Sequence, residues 1–265
     1  MSERKAILVT GSSHGIGAAT VIAFAKEGYD VGINYNKAPE EAQRVATECR
    51  RYGVDAQIYQ CDVSRRDQCE RMLNAFIQHF GRIDVLVNNA GGALQMPKGG
   101  FVDMPMDYWD EQIALNLNSA AYCSQLAARC MIEKGIHGSI INISSIHSAV
   151  TWVKRKALPY SAGKAGMNMF TKSIGVELIK YGINVNCIAP GLIYTKIMSR
   201  YSEKDIEGFN RKIPAGYGGL PDDITPMVLF LADKEKSRFI VGQTIFIDGG
   251  QSIDGAIDNM LDEPF

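Results

Sequence analysis

Ala6-Ile-Leu-Val-Thr10-Gly11-Ser-Ser-His-Gly15-Ile-Gly17 stands near the start of the chain and decides how the rest is read. The apolar run stopped by glycine predicts a fully buried strand over residues 6–10. The pattern that follows predicts a helix over 18–26. A strand, a glycine-rich turn and a helix in that order present the open N–H groups of a helix N-terminus to a phosphate. Gly11 allows the tight turn, Gly15 lets backbone approach a pyrophosphate, and Gly17 lets the helix pack close to the strand. The spacing is not Gly-x-Gly-x-x-Gly. Ser13, His14 and Ile16 complete the candidate phosphate loop.

Further strands are predicted over 30–35, 55–61, 83–87, 139–143, 183–188 and 243–247. Helices are predicted over 40–52 (with Gly53 as C-cap), 68–80, 108–128, 160–180 and 224–232. Strands alternating with helices predict an α/β fold: a parallel sheet with helices on both faces. Residues 199–220 read as polar and irregular, part of a mobile flap over about 192–220. The chain of 265 residues is expected to form a single dinucleotide-binding and catalytic domain, with residues 251–265 as a tail.

The composition, 46% hydrophobic and 22% charged with net charge -1, is that of a soluble globular protein. It argues against a nucleic-acid or membrane-surface role resting on bulk charge. The apolar run from Ala6 is too short for a signal core or a bilayer span, so a cytoplasmic protein is expected. The six cysteines show no Cys-x-x-Cys pair and no histidine at metal spacing; they read as reduced core residues, and no metal is expected.

Ligands of open α/β sheets bind beyond the carboxyl ends of the strands. The second strand ends in Tyr35-Asn36-Lys37, without the acid that would repel a 2′-phosphate; Lys37, with His14, leans the choice toward NADP over NAD. After the third strand, Asp62-Val63 could hold an adenine amino group, or Asp62 could cap a helix starting near Arg65. Asn89, Ala90 and Gly91 follow the fourth strand, and their small size would let a cofactor approach. Asn116 falls in mid-helix, where asparagine usually faces solvent or bends the helix. Tyr160 and Lys164, four apart, share a helix face, where an ammonium beside a phenol favours the phenolate.

Thr10-Gly-Ser-Ser-His-Gly-Ile-Gly17, Asn88-Asn-Ala-Gly91, Ser145, Tyr160-x-x-x-Lys164 and Pro190-Gly191, in this order, resemble the short-chain dehydrogenase/reductase family over about residues 5–250. The resemblance implies a Rossmann-like doubly wound parallel sheet of about seven strands, NAD or NADP as hydride carrier, and a homotetramer. It implies Tyr160 as acid/base and Lys164 as the group that lowers its pKa and binds the nicotinamide ribose. Ser145 would hold the substrate oxygen, Asn116 a relay water, and Ile193 and Thr195 the nicotinamide carboxamide. Ser145 and Tyr160 are fifteen positions apart, longer than is usual in the family, so Ser144 or Ser148 could also supply the hydroxyl; Ser145, which ends the strand, is preferred.

Three stretches resemble bacterial glucose 1-dehydrogenases: Ser144-Ser-Ile-His147 with Trp152, Ile213-Pro-Ala-Gly-Tyr217-x-Gly-x-Pro221, and Pro190-Gly-Leu-Ile-Tyr-Thr195. They imply oxidation of the C1–OH of an aldose to a lactone, with His147 and Trp152 near the sugar. The 3-oxoacyl-carrier-protein reductases, or another ketone reductase, are the competing resemblance, and a non-catalytic cofactor-binding subunit of the same fold is the remote alternative, against which the complete Ser145, Tyr160 and Lys164 set stands. Lys154-Arg155-Lys156 could recognise an anionic group on the sugar, Arg155 through its planar fork, or could be a solvated basic loop.

Overall fold

The computed structural model describes residues 4–94, 100–151, 158–196 and 201–253. Seven parallel strands form one sheet in the order β3-β2-β1-β4-β5-β6-β7: β1 Ala6–Val9, β2 Asp30–Tyr35, β3 Ala56–Gln60, β4 Val85–Asn88, β5 Ser139–Ile143, β6 Asn184–Pro190 and β7 Thr244–Ile247. The order reverses between β1 and β4, where a doubly wound sheet leaves its crevice.

Strand alternation splits the core in two. Ile7 and Val9, Val85 and Val87, and Ile141 and Ile143 pack with Phe24 of α1 (Gly15–Lys26), Ala46 of α2 (Pro39–Arg50) and Leu231 of α8 (Pro221–Ala232). Leu8, Leu86 and Ile140 point the other way, to Phe76 of α3 (Arg66–Phe80), Met131 of α5 (Ser119–Glu133) and Leu178 of α6 (Leu158–Leu178). Full burial of a side chain such as Ile7, Leu8, Phe24 or Phe76 stabilises the fold by about 1.5–3 kcal/mol. Gly32 is as small as it must be: a Cβ there would lie 2.6 Å from the Phe76 ring.

Three expectations change. The helix expected over 108–128 is α4 (Met106–Ile113), a π turn (Ala114–Asn118) and α5. Asn116 sits in that turn and is fully buried, not solvent-facing. Residues 199–220 are not irregular throughout: α7 spans Glu203–Asn210, because Ser202 and Asp205 form a reciprocal capping box. Asp62 does not cap α3, whose N-cap is Arg65; Asp62 Oδ1 instead accepts from Ser64 N (3.0 Å) and Ser64 Oγ (2.6 Å), an Asx turn before the helix. A further one-turn helix, α9 (Lys234–Ser237), follows α8.

Candidate active site

The turn after β1 is shaped by contacts from three strands. Gly11 has φ +61°, and a Cβ there would lie 2.9 Å from Ala90 Cα. Its N–H donates to Asn34 Oδ1 (2.8 Å), and Asn34 Nδ2 donates onward to the carbonyls of Tyr59 (3.2 Å) and Cys61 (3.1 Å). A buried asparagine in β2 thus sets the height of the loop over the sheet. From the other side Thr10 Oγ1 accepts from the N–H groups of Asn89 and Ala90 (both 3.0 Å), while Asn89 Nδ2 donates to Thr10 O (2.8 Å) and Gly11 O (3.0 Å). The N-cap of α1, His14, makes no side-chain cap, so the first N–H groups of that helix are left for a ligand.

These groups border a cavity of about 760 Å³ along the carboxyl ends of the strands. Gly11, Ser13, His14, Gly15 and Ile16 line it from the first turn, and Tyr35, Asn36 and Lys37 from the end of β2. Asn89, Ala90 and Gly91 line it after β4, and Pro190, Gly191, Ile193 and Thr195 after β6. Ser145, His147, Tyr160 and Lys164 line it as well. Thr195 closes on the loop: a Cβ on Gly15 would meet its Cγ2 at 3.2 Å. Among the described residues no Asp or Glu borders the cavity. A pyrophosphate-bearing dinucleotide fits this lining of glycine, open helix N–H groups and neutral or cationic side chains.

Four expected residues are not part of the wall. Val63 is buried in the core beside Cys69 and Met72, and Asp62 engages Oδ1 in its Asx turn; neither is among the residues that line the cavity. Gly17 stands behind the loop, where a Cβ would meet Asn89 Nδ2 at 2.5 Å. Asn116 backs the wall: its Oδ1 accepts from Gly92 N (2.9 Å) and its Nδ2 donates to Gly92 O (3.2 Å). Trp152 and Arg155, with Lys154 and Lys156, lie outside the described residues.

The helix α6 carries Tyr160 and Lys164 and is locked in register by a polar ladder. Asn88 Nδ2 donates to Asn142 Oδ1 (2.8 Å), and Asn142 Nδ2 to Thr171 Oγ1 (2.8 Å). Lys164 is 2% exposed, and its Nζ donates to Ile143 O (2.7 Å). Burial pulls its pKa down to about 8, opposed by Cys187, whose own thiol burial pushes up to about 11. Lys164 Nζ lies 5.9 Å from the centre of the Tyr160 ring, and a Cβ on Gly91 would come within 3.0 Å of it. The His147 ring meets Tyr160 edge-on at 5.7 Å.

The three candidate serines differ in what their hydroxyls do. Ser144 Oγ donates to Lys164 O (3.1 Å) and Ser148 Oγ to Ser145 O (2.6 Å). Ser145 Oγ accepts from His147 N (3.2 Å), which leaves its proton for another acceptor. Sequence reasoning missed Asn34, Leu192, Tyr201, Phe209 and Gln251. Asn34 left a signal, a polar residue inside an apolar strand. The other four carry no polar or spacing signal of their own that points to a site, yet all four line the cavity.

A nucleotide cleft at the switch point of a parallel sheet, with a tyrosine and a buried lysine at its floor, defines an NAD(P)-dependent oxidoreductase. Residues 11–252 match the family model described as enoyl-(acyl carrier protein) reductase. The chain is 37% identical over 250 residues to the 3-oxoacyl-[acyl-carrier-protein] reductase FabG of Staphylococcus aureus, covering 94% of this chain and 99% of that one. It is similar to the crystal structure of acetoin dehydrogenase from Enterobacter cloacae, with TM-score 0.88, 32% identity and full coverage of both chains. The acetoin dehydrogenase YohF of Salmonella typhimurium gives TM-score 0.86 and 35% identity, over 96% of this chain and 98% of that one. The chain belongs to the short-chain dehydrogenase/reductase family.

Proposed function

We propose that this enzyme interconverts small secondary alcohols and ketones, with α-hydroxyketones as the preferred class and NADP as the preferred cofactor. The observation that carries the substrate reading is a group of apolar and aromatic side chains in the cavity lining. It is built from Ile146, Leu192, Tyr201 and Phe209, the last two stacked edge-on at 5.1 Å. An aldose carries a hydroxyl on nearly every carbon, and each would need a partner once desolvated. These four offer only the Tyr201 hydroxyl as a side-chain partner, whereas a short ketone leaves little to satisfy. The similarity to two acetoin dehydrogenases supports the same reading.

The bound nicotinamide supplies or accepts the hydride. In the reductive direction Ser145 Oγ and the Tyr160 hydroxyl both donate to the carbonyl oxygen, and Tyr160 gives up its proton as the oxygen becomes an alkoxide. In the oxidative direction the Tyr160 phenolate removes the hydroxyl proton. Lys164, protonated below about pH 8 and held by Ile143 O, favours that phenolate and reaches the nicotinamide ribose. Asn116, fixed by Gly92, holds a water that resupplies the proton through Lys164. Lys37 and His14 meet the 2′-phosphate. Cofactor site and catalytic groups act as one catalytic unit of a cytoplasmic homotetramer; exposed Val176 and Met169 on α6 support the assembly. Among the described residues, no helix is long and apolar enough to cross a membrane.

The second reading is oxidation of an aldose at C1, an anionic sugar in particular. It rests on the stretches 144–147, 190–195 and 213–221 and on the basic residues 154–156. Absorbance at 340 nm with NAD and NADP decides, using 3-hydroxy-2-butanone, 2-butanone, neutral and acidic aldoses, and a 3-oxoacyl thioester. The proposal expects the hydroxyketone to give the highest kcat/KM and NADPH to exceed NADH by at least about tenfold, the value of one charge-assisted hydrogen bond. Turnover of aldoses alone would establish the second reading instead.

A further inference from the structure

The segment following β7 carries none of the catalytic groups, yet it is built with care. Asp248 Oδ1 accepts from Gly250 N (3.0 Å) and its Oδ2 from Ser252 N (2.9 Å), while Gln251 N donates to Asp248 O (3.2 Å). Ala215 N donates to Gly249 O (3.0 Å), tying this turn to the segment that follows α7. Gln251 therefore stands on a preorganised turn, of the kind that holds a binding group within a narrow range of positions.

The Gln251 side chain borders the cavity. Its Oε1 accepts from Leu192 N (3.2 Å). A backbone N–H can be met only by the oxygen of an amide, so this bond fixes which way the carboxamide points. The two N–H donors on Nε2 are then the free end. Among the described residues no acceptor lies within hydrogen-bond distance of Nε2, and this nitrogen is not sealed in the interior. A rigid turn thus holds an oriented pair of neutral donors at the cavity wall, beside Leu192 of the substrate end.

We propose that Gln251 is a specificity-determining residue: its Nε2 donates to a second oxygen of the substrate, on the carbon next to the one that exchanges hydride. Ser145 and Tyr160 hold the reacting oxygen, and Gln251 reads its neighbour. The site selects vicinal hydroxy-carbonyl compounds and diols over simple ketones and alcohols of the same length. The proposal deepens, and rests on, the small-carbonyl reading above. It concerns the substrate and not the carboxamide of the cofactor, which Ile193 and Thr195 would hold.

The test compares wild type with Gln251→Leu and Gln251→Glu on 3-hydroxy-2-butanone and 2-butanone. Gln251→Leu removes the donors and the Leu192 contact; Gln251→Glu keeps an acceptor for Leu192 N and removes only the donors. Both variants should lower the ratio of kcat/KM for the hydroxyketone to that for the ketone by about tenfold, the worth of one neutral hydrogen bond in a dry site. Restoration of the wild-type ratio by Gln251→Glu would reduce Gln251 to a support for Leu192 and overturn the proposal. A rise in cofactor Kd, by fluorescence titration, as large as the loss in the ratio would assign the donors to the cofactor and also overturn it. Should wild type use only aldoses, the substrate reading above fails, and the Gln251 proposal is then judged by glucose against 2-deoxyglucose. The variants should lose about tenfold more on the parent sugar, and equal losses would overturn it. Turnover of the 3-oxoacyl thioester alone, which has no oxygen next to the reacting carbon, would overturn both.

Discussion

The two ends of the cavity are made in different ways. The cofactor end is built from backbone and from side chains that serve backbone: Gly11 N on Asn34, the Thr10–Asn89 clasp, the uncapped start of α1. Its parts lie at the carboxyl ends of neighbouring strands, so forming the sheet brings them together. The other end is a meeting of side chains from the residues after β5, the loop after β6, α7 and the turn after β7. Only tertiary packing relates them, for example the hydrogen bond between Tyr194 Oη and Asn210 Oδ1 that ties α7 to that loop. The difference explains why one family keeps a common cofactor site while its substrates vary: the substrate wall can change residue by residue without disturbing the sheet.

The junction of the two ends gives the largest expected effect. Tyr160→Phe should lower kcat by about 10³-fold, within the usual range for removal of a general acid–base, while cofactor Kd from fluorescence titration stays within about twofold. Loss of cofactor binding in that variant would mean the two ends are not separable. A paired test sharpens the contrast. Gly11→Ala places a Cβ 2.9 Å from Ala90 Cα in a left-handed conformation. It should cost about 1–3 kcal/mol of stability and weaken cofactor binding equally for every substrate. Phe209→Ala should raise substrate KM about tenfold by opening the wall and leave cofactor Kd within error; matching effects from the two variants would erase the distinction.

The smallest effect concerns stability. Lys164 titrates at about 8 when folded, below its value of about 10.4 in an unfolded chain. Between these values the unfolded chain holds a proton that the folded one has released, so wild-type stability rises with pH across that window. Lys164→Met removes the titration. Denaturant unfolding should show wild type gaining on this variant from pH 8 to 10.5 and no differential slope from pH 6 to 7.5; a parallel course throughout would mean the ammonium is not desolvated.

Much of the molecule was legible in the residues themselves. Short apolar runs marked strands such as β1, β4 and β5 to within two or three positions, because strands buried on both faces admit little else, and alternation marked the partly exposed β3. Glycine spacing marked the phosphate loop, since positive φ and close backbone approach exclude side chains at Gly11 and Gly15. Tyr160 and Lys164 were legible as a pair because helix geometry places residues four apart side by side.

What tertiary structure decided was which groups are free to act. Ser145 is told from Ser144 and Ser148 by its hydrogen-bond partners, which no local pattern encodes. Asn116 is buried because a π turn aims it at Gly92, a contact across twenty-four residues of chain. Asp62 engages one carboxylate oxygen in its own turn, with Ser64 as its partner. Lys164 is buried with its Nζ on Ile143 O of β5, a partner twenty-one residues away that its own helix does not supply. Sequence sets local conformation through short-range sterics and periodicity; partners, burial and pKa depend on surfaces that meet only when the sheet closes.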